Sequence, residues 1–153
     1  MPDVRLAGLH TTNTAFDATV AEESAHPDTM AAALRDAGFV GGVERTLTGR
    51  RAVFSRVVVR GWMFSSPEGA AAFVSWMRTN APDVIGPVEE RDAGLPSGTV
   101  LLVHSPSGCC HEEVPIYLAI WQRGPAVWTI RASGATIHTA PVLALVRSTQ
   151  KET

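Results

Sequence analysis

The sequence predicts an α+β domain: an antiparallel sheet built from two hairpins plus additional strands, with three flanking helices. Two observations carry this prediction. Pairs of strand-like stretches are joined by short turn chemistry at two places, and three segments carry apolar residues at helical spacing. With 153 residues, 45% of them hydrophobic, the chain suffices for one core and falls short of two.

Residues 1–26 are polar, rich in Thr and Ala, and lack sustained periodicity. They read as an N-terminal arm, with Phe16 to Glu23 able to form a short helix, and residues 27–153 read as the single α+β domain. The first helix is expected from Asp28 to Ala37, where an acidic residue opens a run of helix formers and Gly38 follows as a stop. Gly38, Gly41 and Gly42 come after this helix rather than before one, so they read as turn glycines and not as a phosphate loop.

Val43 to Leu47 and Ala52 to Phe64 read as a hairpin around Thr48-Gly49-Arg50-Arg51. In its second strand Phe54, Arg56, Val58, Arg60 and Trp62 alternate with Val53, Ser55, Val57 and Val59. One face is apolar and the other mixed, the pattern of a half-covered strand. Ser66 caps the second helix, Pro67 suits its first turn, and Ala70, Phe73, Val74 and Met77 recur at helical spacing until Ala81-Pro82 ends it. A short extended piece follows over Val84 to Glu89, then a strand over Thr99 to His104. Val114 to Gln122 and Ala126 to Arg131 make the second hairpin around Arg123-Gly124-Pro125. Thr139 to Lys151 closes the chain as a helix, with Pro141 tolerated in its first turn.

Charge excludes some functions. Thirteen basic residues against 15 acidic give a formal charge of −2, with no block of like charge, so nothing marks a nucleic-acid surface. Twelve of the basic residues are Arg, which together with abundant Ala, Val and Gly reads as codon bias rather than as twelve functional guanidiniums. No apolar run approaches the roughly 20 residues of a membrane span. The first 27 residues lack a basic start followed by an apolar segment, so the chain reads as cytoplasmic, or as extracytoplasmic after loss of a leader.

Two places hold candidate chemistry. The loop from Pro106 to Glu113 contains both cysteines, Cys109 and Cys110, with His111 beside them. Thiolates next to an imidazole suit Zn or Cu, although adjacent side chains diverge in most backbone conformations. The same loop is also open to a strained vicinal disulfide, a nucleophilic thiol, or an ordinary surface turn. The second place is the mixed sheet face. Arg56 and Arg60 precede Trp62 on one face of their strand, and Trp121 and Trp128 lie on the second hairpin. Shared by one uncovered face, these rings and guanidiniums would form a groove for an apolar, anionic or aromatic ligand; the competing readings are rings packed under helices and an Arg face that is the solvated side of an edge strand. His10, His26 and His138 are scattered, and the carboxylates form no pair with acid/base spacing.

From residue 28 onward, LRDAGF, VVVRGWMFSSPEGAAAFVSWM, GLPSG, VPIYLAIWQRGPAVWTIRASG and LALVRSTQ resemble domains of actinobacterial lipoproteins and the extracytoplasmic sensor regions of receptor kinases. The resemblance spans about four fifths of the chain and rests on architectural motifs. It implies an α+β ligand-binding or sensing role outside the membrane, with no catalytic residues to carry over. The expected function is therefore a non-enzymatic binding or accessory domain for a small apolar molecule or a protein partner, without a cofactor. A thiol- or metal-dependent function at Cys109, Cys110 and His111 is the alternative. Residues 1–26 would serve as an arm for an oligomer or larger assembly.

Overall fold

In chain order, the computed structural model, which describes residues 2, 6, 9–24, 26–49, 53–91, 94–106 and 114–153, begins with a strand, β1 (His10–Phe16). A 3₁₀ turn over Ala18–Glu23 follows, and then helix α1 (Pro27–Asp36). Strands β2 (Phe39–Thr48) and β3 (Arg56–Phe64) form the first expected hairpin. Helix α2 (Pro67–Ile85) leads to the two-residue β4 (Glu89–Glu90), then β5 (Val100–His104). Strands β6 (Ile116–Arg123) and β7 (Ala126–Ser133) form the second hairpin, and α3 (Thr139–Glu152) ends the chain.

All strand pairings among the described residues are antiparallel, in the order β1-β2-β3-β7-β6-β5-β4. The α+β class expected from the sequence is the observed one. The two hairpins join through β3 and β7, with Val58 opposite Arg131 and Arg60 opposite Thr129. Helix α2 carries the chain from the sheet centre to its far edge.

The stretch expected as a polar arm enters the sheet. Every residue of β1 pairs with β2, from His10 opposite Thr48 to Phe16 opposite Gly42. Val20 and Ala21 of the 3₁₀ turn are buried in the core under α1. Asp17 caps this turn, accepting from the Thr19 amide at 2.9 Å and its hydroxyl at 2.6 Å. Those two donors hold its carboxyl below the usual range. The strand eluded the periodicity argument because an edge strand with both faces exposed has no alternation to display.

Gly38 ends α1 in the left-handed region, φ 71°, but Gly41 and Gly42 are strand residues rather than turn residues. At Gly42 a Cβ would stand 2.2 Å from the Phe16 ring, which lies across the bare backbone. Pro82 does not end α2. The helix runs on to Ile85 because Ala81 and Ile85 are buried on either side of it, and the Gly86 amide closes the last turn on the Pro82 carbonyl at 3.0 Å. The expected extended piece over Val84 to Glu89 therefore shrinks to its last residue and Glu90.

Helices cover both faces of the sheet, which corrects the expectation of a half-covered strand. Met30 and Leu34 of α1 and Ala70, Phe73, Ala81 and Ile85 of α2 pack on Trp62, Leu102, Leu118, Ile120 and Val127. On the other face Val142, Leu145 and Val146 of α3 pack on Val57, Val59, Ala119, Ile130 and Ala132. Phe54 joins this second core and not the face of Arg56, because the chain bends ahead of β3 and turns the ring over.

Where α1 ends, its Ala37 carbonyl abuts α2 at Gly69, where a Cβ would lie 2.0 Å from that oxygen. Gly69→Ala is expected to destabilise the fold by about 1–3 kcal/mol, since the backbone clash outweighs the gain in helix propensity of about 1 kcal/mol. Urea unfolding at unchanged m-value measures it.

Candidate functional site

Antiparallel register places directly paired residues on one face of a sheet. Arg56, Val58, Arg60 and Trp62 of β3 therefore share their face with Thr129 and Arg131 of β7 and Leu118 of β6. Helices α1 and α2 and the 3₁₀ turn roof this face incompletely. They leave a groove of about 290 Å³ between the sheet and Val20, Met30, Trp76, Met77 and Ile85.

The groove's inner end is an aromatic cluster. Trp62, 2% exposed, meets Phe16 edge-on at 4.9 Å between ring centroids and Phe73 at 5.2 Å, and Phe73 stacks on Trp76 at 5.8 Å. The buried Trp62 indole donates to the Thr129 hydroxyl at 3.2 Å, so its one polar atom has a partner. Arg60 lies 5.7 Å from the ring centroids of both Trp62 and Phe16, the cation–π arrangement that its position two residues before Trp62 suggested.

The guanidinium of Arg60 is also clamped by carboxylates. Its Nε donates to Glu44 at 2.5 Å and an Nη to Glu23 at 2.7 Å, so a residue of β2 and one of the 3₁₀ turn converge on it. Burial pushes the Glu44 carboxyl up, but the Thr46 hydroxyl, the Arg60 hydrogen bond and the charges of Arg60 and Arg56 outweigh this and hold it below the ordinary glutamate range. A depressed folded pKa adds stability that is present at neutral pH and lost as pH falls through that value. The stability difference between the wild type and Glu44→Gln is therefore expected to be largest near neutrality and to shrink between about pH 5 and about pH 3. Paired denaturation curves across that window measure it.

The remaining guanidiniums are differently placed. Arg56 and Arg131 are exposed and make no ion pair or hydrogen bond among the described residues, although the charge of Arg56 helps to hold the Glu44 carboxyl down. Desolvation, then the charges of Arg56 and Arg60, hold Arg131 below the ordinary arginine range. Arg131 was not singled out from the sequence. The alternation Val127, Thr129, Arg131 puts it on one face of its strand, but only the β3–β7 pairing shows that this face is also that of Arg56.

Trp121 and Trp128 do not join this site. They oppose each other on β6 and β7 on the face covered by α3. Trp121 is 3% exposed, with its indole directed to the Thr153 hydroxyl at 3.4 Å. Trp128 lies over Gly61, where a Cβ would meet the ring at 2.7 Å. It lines an open apolar depression of about 330 Å³ with Val40, Val43 and Met63, of which Val40 is 68% exposed. The five residues expected to form one surface thus divide into Arg56, Arg60 and Trp62 on one face and Trp121 and Trp128 on the other. Cys109, Cys110 and His111 lie outside the described residues. Among the described residues no three His, Cys, Asp or Glu side chains cluster as metal ligands, and no helix is long and apolar enough to cross a membrane.

No family model matches the sequence, and no curated protein does. Among solved structures, the chain is similar to the extracellular domain of PknH from Mycobacterium tuberculosis, with a TM-score of 0.64 at 12% identity. The match covers 95% of this chain and 84% of that one. The fold is thus shared with the extracellular domain of a mycobacterial receptor kinase.

Proposed function

We propose that this chain is a non-enzymatic binding domain whose groove, between the sheet and helices α1 and α2, receives a small molecule with an apolar body. The observation that carries this reading is the incomplete roof over Trp62 and Arg60. Covered cores normally close to crystal-like density, whereas here about 290 Å³ stays open against Val58, Leu118, Met30 and Ile85. That volume lies near the lower end of the roughly 300–1,000 Å³ of small-molecule sites, and its lining combines an apolar wall with polar groups on Glu23, Ser24, Arg56, Arg60, Thr129 and Arg131 that could fix a ligand's orientation. The fold shared with an extracellular domain supports a place for this chain on the same side of the membrane, and a role in sensing or ligand delivery rather than catalysis.

N-phenyl-1-naphthylamine, a neutral dye that fluoresces in apolar surroundings, is the first probe. It is expected to bind the wild type saturably. Met77→Trp, which places a larger ring on the half-buried α2 wall of the groove, is expected to weaken it about ten-fold or more while leaving the melting temperature within a few degrees. Dye binding unaffected by this substitution would put the ligand elsewhere.

A further inference from the structure

We infer that the ligand of this groove is an amphiphile with an anionic head, seated between Arg56 and Arg131 while its apolar body runs toward Trp62. The inference rests on the groove being a ligand site, and it adds the chemical class of the ligand.

Three guanidiniums rise from two adjacent strands into one groove. Arg60 is neutralised by Glu44 and Glu23, which makes it part of the wall. Arg56 and Arg131, both exposed, make no ion pair among the described residues, although the charge of Arg56 also acts on Glu44, and register makes them diagonal neighbours, since Arg131 pairs with Val58 and Arg56 with Ser133. Diagonal neighbours on a sheet lie about 7–8 Å apart at Cα, within reach of one another's long side chains. Desolvation first, and then the charges of Arg56 and Arg60, make Arg131 easier to deprotonate than an isolated arginine. Like charges on neighbouring strands repel, though water screens exposed ones, and a bound oxyanion would relieve that repulsion while accepting from both forks.

The chain's overall charge of −2 makes the cationic character local to this floor rather than general. Val58, opposite Arg131, and Leu118 beside it give the floor apolar surface next to the two guanidiniums, and beyond the Arg60–Thr129 pair it reaches Trp62. Two charged donors at one end and an aromatic cluster at the other fit a molecule with a carboxylate, phosphate or sulfonate head on a hydrocarbon or aromatic body.

The test compares N-phenyl-1-naphthylamine with 1-anilinonaphthalene-8-sulfonate, which differs from it by one sulfonate. The sulfonate is expected to bind about ten-fold tighter or more. Arg56→Gln and Arg131→Gln should each weaken it about ten-fold while moving the neutral dye less than about two-fold, and the exposed control Arg35→Gln should change neither. Equal affinity for the two dyes, or Arg variants that shift both alike, would overturn the anionic head and leave the groove standing. Binding of neither dye, or binding indifferent to Met77→Trp, would overturn the groove and this inference together.

Displacement of the sulfonate dye by decanoate and by decyl phosphate then ranks the head groups, and tight displacement by either supports the inference. Inorganic phosphate displacing the dye as well as decyl phosphate does would overturn the amphiphile, because the apolar body would then contribute nothing.

Discussion

Trp62→Ala is expected to cost about 3–5 kcal/mol of stability, the range for truncating a large buried ring. Trp62 is buried against Phe16, Phe39 and Phe73, rings contributed by β1, β2 and α2, so its loss leaves a cavity that no single neighbour can fill. The Thr129 hydroxyl, itself in a buried residue, loses its indole donor at the same time. Trp62→Phe keeps part of the ring packing and should recover a substantial share of the loss. Urea unfolding of the two variants against the wild type separates packing from the hydrogen bond. A drop below about 1 kcal/mol for Trp62→Ala would contradict the burial on which the groove's inner end depends.

Deletion of residues 1–16 is the second large effect. As an arm held in reserve for a partner, this segment could be removed at little cost to the domain. As β1 it pairs with β2 over seven residues, and Phe16 covers Gly42 and meets Trp62 edge-on. The deletion is therefore expected to lower stability by about 3 kcal/mol or more and to bare the edge of β2, giving concentration-dependent association. Size-exclusion chromatography over a dilution series and urea unfolding read the two consequences separately. A deletion variant as stable and as monodisperse as the intact chain would return residues 1–16 to the status of an arm. Because Arg60 is held by Glu23 just beyond β1 and contacts the Phe16 ring, the same deletion should also weaken ligand binding in the groove.

Both hairpins, all three helices and the α+β class were legible in the sequence, because each rests on local signals: Ser66 and Pro67 at the start of α2, Gly124 between β6 and β7, the helical spacing of Val142, Leu145 and Val146. The cation–π neighbourhood of Arg60 and Trp62 was legible for the same reason, since alternation along one strand sets which side chains share a face. Three features needed the tertiary structure. The β1 strand has no buried face to give it a period. Pro82 continues α2 because burial of Ala81 and Ile85 opposes its local effect. The division of the tryptophans between two faces depends on the register of β3 against β7, which sets Trp62 opposite Val127 and not Trp128.

The groove itself belongs to this second group. Composition showed Arg56 and Arg60 but not Arg131, because Arg131 lies 71 residues beyond Arg60 and meets its neighbours only through the β3–β7 seam. Local periodicity determined which residues form strands and helices, and which way each side chain points from its own strand. Which strands become neighbours, and hence which charges and aromatic rings meet in one groove, is decided by burial of the two apolar faces under α1, α2 and α3. That choice is made by the chain as a whole, since no single segment buries its apolar face without the others.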